Sequence, residues 1–186
     1  MVSTKLVTAE DIAAMGSDAP YELIEGVLHE VSPSWIMPSI IAQTISGWLA
    51  PFVRERRLGF ISGEEGGFLL RRDPDTVVAP DLAFVAKQHI PKDYDFRSFF
   101  PGPPDLAVEV VSFSDTSADV LRKLAVYAAA DTPVVWVIYP TQKAVTIHAL
   151  GEPPRTFGEQ DVLKGGEVLP GFELSVSEIF RLPTDE

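Results

Sequence analysis

A mixed α+β fold, with a central mixed β-sheet flanked by helices and an N-terminal β-hairpin, follows from three observations on this 186-residue chain. The apolar run PPDLAVEVVS (residues 103–112), a helical stretch from about 116 to 130, and PVVWVIYP form the strand-helix-strand pattern of a right-handed parallel crossover. YELIEGVLHEV alternates around Gly26 as a hairpin does. Between them, Ile41, Ile45, Trp48, Leu49 and Phe52 recur at helical spacing, which predicts a helix packed on the sheet.

The elements follow in order. Thr8, with Asp11 three residues on and IAAM behind it, makes a capping-box arrangement and predicts a short N-terminal helix acting as a lid or brace. In the hairpin, Glu22 and Ile24 share one face and Leu23 takes the other, and Pro33 closes the unit. The long helix runs from Pro38, suited to a first turn, to about Arg57, and Pro51 is expected to kink it or end its regular part. GFISGEEGGFLL reads as two short strands around a Gly-rich turn, and TVVAPDLAFV as one strand entered through Pro80 and Asp81. Residues 86–104, with Pro91, Pro101, Pro103 and Pro104, read as loop. After the crossover, TQKA is a tight connection into VTIHAL, an antiparallel partner, and the tail carries the short amphipathic segment VSEIF. No internal repeat, low-complexity tract or linker interrupts the chain, so residues 1–186 are expected to form a single domain.

Composition narrows the function classes. Hydrophobic residues make up 46% of the chain and aromatics 10%, enough for a substantial core. There is no cysteine, which removes disulfides, a thiolate nucleophile and cysteine zinc sites, and points to a cytoplasmic protein. The N-terminus lacks the basic start and apolar stretch of a signal peptide, and no run reaches the roughly 18 uninterrupted apolar residues of a spanning helix, so no membrane association is expected. The net charge of −12 has the wrong sign for a DNA-binding module that works only by neutralising phosphates. Arg54, Arg56, Arg57, Arg71, Arg72, Lys87, Lys92 and Arg97 do cluster in one stretch, but as many acids share it, leaving it locally neutral.

The chemistry centres on Glu109. A strand as apolar as DLAVEVV is covered on both faces, where an ionised carboxylate costs several kcal/mol unless a metal ion or a partner compensates it. Alternation places Glu109 with Asp105, Ala107 and Val111, and turns Leu106, Val108 and Val110 to the other face. Asp81 opens its own apolar strand and meets Glu109 if the two strands are neighbours. Two such carboxylates suit a hard divalent ion. Mg²⁺ or Mn²⁺ takes one or two carboxylates, a backbone carbonyl and waters at about 2.0–2.2 Å, and activates water for attack at phosphorus. On the following helix Val120, Leu121, Leu124, Tyr127 and Ala128 form an apolar stripe. Lys123 borders it and can lean toward the sheet, whereas Arg122 points away. Each residue also has a purely structural reading: Asp81 as a turn-maker after proline, Glu109 as the partner of a core cation, Lys123 as a snorkelling surface lysine. His29, His89 and His148 are scattered without metal-ligand spacing and read as surface or structural residues.

YELIEG, PDLAFV, PPDLAVEVVS, the lysine of LRKLAVYA and VVWVIYP, in this order, resemble the Uma family of restriction-endonuclease-like proteins, within the PD-(D/E)xK nuclease superfamily. The resemblance runs from about residue 20 to 180. It implies a restriction-endonuclease-like core, with Asp81 and Glu109 as metal ligands, the Val110 carbonyl as a third, Mg²⁺ or Mn²⁺ as the cofactor and DNA as the substrate. It also implies that Glu22 is an accessory acid and that Lys123 orients or polarises the attacking water. Val111 stands where the lysine of Glu-x-Lys belongs, and in this family the lysine has migrated to the next helix, where Lys123 lies. Many relatives carry a histidine after the SPS segment, where this chain has Trp35, Ile36, Met37, Pro38 and Ser39.

Three functions stay open on the sequence alone. One is a Mg²⁺-dependent endonuclease with Asp81, Glu109 and Lys123 at its centre and Glu22 in support. The others are a catalytically silent binding or regulatory module acting through a protein partner, and a hydrolase of a smaller phosphate ester. The aromatic loop DYDFRSFF (93–100) either builds a homodimer contact or packs on its own sheet.

Overall fold

Alternation along the two most apolar strands decides the layering. The computed structural model describes residues 6–16, 21–30, 35–182 and 184. Its first half holds α1 (Ala9–Met15), β1 (Tyr21–Ile24), β2 (Val27–Glu30), α2 (Ile36–Arg56), β3 (Gly59–Gly63), β4 (Phe68–Arg71), β5 (Thr76–Val78) and β6 (Leu82–Ala86). The second half holds β7 (Phe100–Pro101), β8 (Leu106–Val110), α3 (Ser117–Ala129), β9 (Val134–Tyr139), β10 (Ala144–Ala149), β11 (Arg155–Phe157), β12 (Val162–Lys164), β13 (Glu173–Ser175) and α4 (Val176–Ile179).

A six-stranded sheet runs in the order β11-β10-β9-β8-β6-β3. Only β8 and β9 are parallel, joined by α3, and every other pair is antiparallel, so the sheet is mixed. Leu106, Val108, Val110, Trp136 and Ile138 face α2, packing on Ile41, Ile45, Leu49 and Val53. Ala107, Val135 and Val137 face α3, packing on Val120, Leu124 and Tyr127. Helices on both faces explain why β8 and β9 are apolar throughout. α2 is the one helix among the described residues long and apolar enough to cross a membrane, and the apolar side just named is consumed by this core.

A second sheet, β2-β1-β5-β4-β7, carries the N-terminal hairpin. The hairpin turns through Glu25 and Gly26, both at positive φ (51° and 76°), the two-residue geometry that suits the right-handed twist of the strands. α1 braces this sheet: Thr8 and Asp11 form the expected capping box, and Ala9 and Ile12 pack against Leu23 and Val77. Pro33, expected to close the hairpin unit, lies outside the described residues.

Four expectations need correction. TVVAPDLAFV is two strands in different sheets: β5 pairs with β1 and β4, whereas β6 pairs with β3 and β8. Pro80 has no N–H to continue a ladder, and the chain crosses between sheets there. GFISGEEGGFLL forms the two expected short strands, β3 and β4, and its Gly-rich turn carries the chain from the six-stranded sheet into the second one. Pro51 does not end α2, which continues to Arg56 because Leu49 and Val53, on either side of it, are anchored in the core. The packed side of α3 is rotated from the predicted stripe: Leu121 is 65% exposed and Ala128 is also exposed, while Lys123 lies on the side with Val120, Leu124 and Tyr127. The 86–104 segment is not all loop: β7 adds in parallel to β4, Phe100 meets Phe60 and Phe68, Phe96 meets Phe60 edge-on, and Tyr94 packs against Phe96 and Phe100.

Ile45 is fully buried between α2 and the sheet. Ile45→Ala should lower the unfolding free energy by about 2–5 kcal/mol in urea titration, whereas the exposed control Leu121→Ala should change it by no more than about 0.5 kcal/mol.

Candidate functional site

The site is built where the two sheets part. The β6–β8 ladder pairs Leu82 with Val108, so one further step along the antiparallel register sets Asp81 opposite Glu109. Asp81 Oδ2 accepts the N–H of Val110 at 2.6 Å. A residue's N–H and C=O leave a strand on the same side, so the Val110 carbonyl also faces the Asp81 side, beyond the last ladder pair and opposite Pro80, which has no N–H to offer.

Glu109 points to the α3 face, as alternation predicts. The capping box of Thr116 and Asp119 starts α3 in a phase that turns Lys123 and Tyr127, one turn apart, onto the strand. Lys123 Nζ donates to Glu109 Oε2 at 2.7 Å, and Tyr127 Oη donates to Glu109 Oε1 at 2.6 Å. The hairpin brings a second acid: Leu23 pairs with Val77 of β5, and Glu22 beside it reaches over the 79–81 crossing. Glu22 Oε1 accepts the N–H of Ala79 at 3.3 Å and lies 3.8 Å from Lys123 Nζ. Arg122 turns outward to pair with Asp119 at 2.9 Å.

The four predicted side chains therefore converge: Glu109 and Glu22 reach the Lys123 ammonium, and Asp81, opposite Glu109, acts on it at longer range. Tyr127 is the member that sequence reading missed. It appeared only as a core aromatic, although its place four residues after Lys123 puts both polar ends on one helix face. His29 stands opposite Glu22 in the hairpin register without a hydrogen bond to the cluster, and His89 is bound elsewhere, 2.7 Å from Asp105 Oδ1.

Electrostatics follow from burial and crowding. Burial pushes the Asp81 carboxyl up to about 7, and the Glu109 charge adds to the rise against the Val110 N–H. Burial likewise raises Glu22, opposed by the Lys123 ammonium and reinforced by Glu109. For Lys123 burial disfavours the charge, but Glu109 and Glu22 outweigh it and hold the ammonium above its ordinary range. Tyr127 is raised by burial and by Glu109, so its hydroxyl keeps the proton that it donates.

Among the described residues no group of three or more His, Cys, Asp or Glu side chains is arranged to hold a metal ion by itself. The donors at hand are two carboxylates and the Val110 carbonyl. Asp81 Oδ1 has no hydrogen-bond partner among the described residues, and both Glu109 oxygens are engaged once each. An all-oxygen set of this kind, completed by water, fits Mg²⁺ or Mn²⁺.

A family model named Uma2, described as "Putative restriction endonuclease", matches residues 8–177. The chain belongs to the Uma2 family. The crystal structure of "a putative nuclease belonging to DUF820 from Anabaena variabilis ATCC 29413" resembles the chain with a TM-score of 0.79. The likeness covers 94% of this chain and 97% of that one at 17% identity, which shows a shared fold. No curated protein matches the chain. For this Uma2 member the expected nuclease-like α+β fold thus holds, with a mixed sheet between helices.

The raised Asp81 has a consequence for stability. A carboxyl that binds its proton more tightly when folded, at about 7 against 3.8 for the free group, stabilises the fold fully below pH 4 and loses that contribution as pH rises through 7. Urea titrations of wild type and Asp81→Asn between pH 4 and 8 should therefore show wild type losing stability relative to the variant up to about pH 7, then running parallel to it. A difference independent of pH would show that Asp81 is not titrating in the fold.

Proposed function

We propose that this Uma2-family chain is a divalent-metal-dependent endonuclease that hydrolyses phosphodiester bonds of DNA. The observation that carries the reading is the charge deficit of the cluster: three carboxylates stand against one ammonium, and two of the three take up protons more readily than free carboxyls. Carboxyls whose proton affinity is raised by burial and by neighbouring negative charge are short of positive charge, and a divalent cation held by Asp81 and Glu109 would supply it.

Asp81, Glu109 and the Val110 carbonyl would hold Mg²⁺ or Mn²⁺, and a bound ion supplies Lewis-acid polarisation of a phosphoryl oxygen and a more acidic water. The protein's own groups do the rest. Lys123, kept charged by Glu109 and Glu22, can donate to the attacking water or to a phosphate oxygen as negative charge develops there. Tyr127 fixes the Glu109 carboxylate from the core side, so that it holds one orientation. Glu22, fixed by Ala79, keeps Lys123 near the crossing. The nuclease description of the family supports DNA as the substrate.

Because Lys123 and Tyr127 occupy both Glu109 oxygens, a catalytically silent module is the second reading. Calorimetric titration of Mg²⁺ and Mn²⁺ into wild type and Glu109→Ala, alongside cleavage of supercoiled plasmid, separates the two. The endonuclease predicts ion binding and nicking by wild type, with nicking reduced at least about 100-fold in Glu109→Ala. Absence of both in wild type makes the cluster a structural ion-pair network. Ion binding with turnover of a small phosphodiester but intact plasmid makes the protein an ester hydrolase.

A further inference from the structure

Three of the cations that lack a carboxylate partner among the described residues of this acidic protein lie together. Among the described residues, nine Lys and Arg side chains contact a carboxylate: Arg71, Arg72, Arg97, Arg122, Lys123, Lys143, Arg155, Lys164 and Arg181. The remaining five, Arg54, Arg56, Arg57, Lys87 and Lys92, have no such partner among the described residues, and all belong to the end of α2 and the segment after β6. In a chain of net charge −12, cations left free beside each other are a local reversal of sign.

Three of them frame a groove. Arg54, Arg57 and Lys87 line a hollow of about 600 Å³ whose floor is apolar and aromatic, with Phe60, Ile90 and Phe96. Phe96 is 70% exposed, with its ring edge-on to Phe60 (centroids 6.0 Å apart) and to Tyr94 (4.7 Å). Backbone bonds fix the walls: Leu58 N–H donates to Val53 at 3.0 Å, and Lys87 N–H donates to Leu58 at 2.7 Å. Cations around a held aromatic floor are what a single polynucleotide strand needs, phosphates on the rim and bases on the rings. The groove opens along β3, an edge of the six-stranded sheet. It starts at Gly59, four register steps and so about 13 Å from Gly63, which pairs with Leu82 next to Asp81.

We infer that this groove seats a single-stranded stretch of nucleic acid flanking the bond presented to Asp81 and Glu109. The inference rests on the endonuclease reading for the bond, but the groove's affinity is measurable without cleavage. Arg54, Arg57 and Lys87 are neutralised together (Arg54→Gln, Arg57→Gln, Lys87→Gln), and binding of a fluorescein-labelled single-stranded DNA of tens of nucleotides is followed by anisotropy against salt. The triple variant should bind at least about tenfold more weakly, and its log K versus log[salt] slope should be shallower by about 2, three phosphates at about 0.7 each. Phe96→Ala should weaken binding about fivefold or more with the slope unchanged. Lys164→Gln, at a cation already paired with Glu173, should change neither. An unaltered slope in the triple variant, no DNA binding by wild type, or equal affinity for a duplex of the same length overturns the inference. Plasmid cleavage assayed in parallel keeps the two readings apart. Cutting by wild type with an unaltered slope removes the groove alone, whereas slope loss without cutting keeps the groove and removes the nuclease.

Discussion

The ion pair between Lys123 and Glu109, closed where α3 packs on the sheet, is the contact on which the site depends. Glu109 stands in the middle of a strand covered on both faces, a position where a lone carboxylate is strongly disfavoured. The crossover from β8 to β9 lays α3 over that strand, and the Thr116–Asp119 box sets the helix phase so that Lys123 and Tyr127 meet the carboxylate together. Glu22 then shares the same ammonium from the hairpin. One cation thus ties three separate parts of the chain, β8, α3 and β1, and the fold tolerates three acids in one place because of it.

The second constraint is the passage between sheets at residues 79–81. A proline without an N–H stops the β5 ladder, and the chain re-enters pairing only at Leu82. Asp81 is left at the mouth of the larger sheet, where its carboxylate takes the unpaired Val110 N–H, and the Val110 carbonyl is left facing the same side. The interruption that divides the sheets therefore also leaves the oxygen donors that a hard ion favours. Burial, reinforced by the charge of Glu109, raises the proton affinity of Asp81, so the same geometry that suits a cation also titrates near neutrality.

Charge is divided along the molecule in a way the totals hide. The stretch from Arg54 to Arg97 is neutral when its residues are counted, yet Arg71, Arg72 and Arg97 spend their charge on neighbouring acids. Arg54, Arg57 and Lys87 do not, and they surround an aromatic floor at the far end of the edge strand from Asp81. An acidic protein can thus keep a cationic face without a basic composition.

Much was legible in the residues. The Glu109 strand, its alternation, the helix after it with Arg122 outward and Lys123 able to lean toward the sheet, the parallel crossover and the hairpin at Gly26 all follow from short-range periodicity, which the backbone obeys locally. The candidate pairing of Asp81 with Glu109 was legible only as a condition, since adjacency of strands is a tertiary fact. What the sequence could not decide has one physical cause: side-chain partners and sheet membership depend on contacts between distant segments. TVVAPDLAFV looks continuous because both halves are apolar, and only pairing with β1 or with β8 assigns them to different sheets. Leu121 and Lys123 look like core and rim on a helical wheel, but the angle at which α3 meets the sheet reverses them. Tyr127 donating to Glu109, and the cations that remain unpaired around Phe96, exist only once the folded chain has settled which charges find partners.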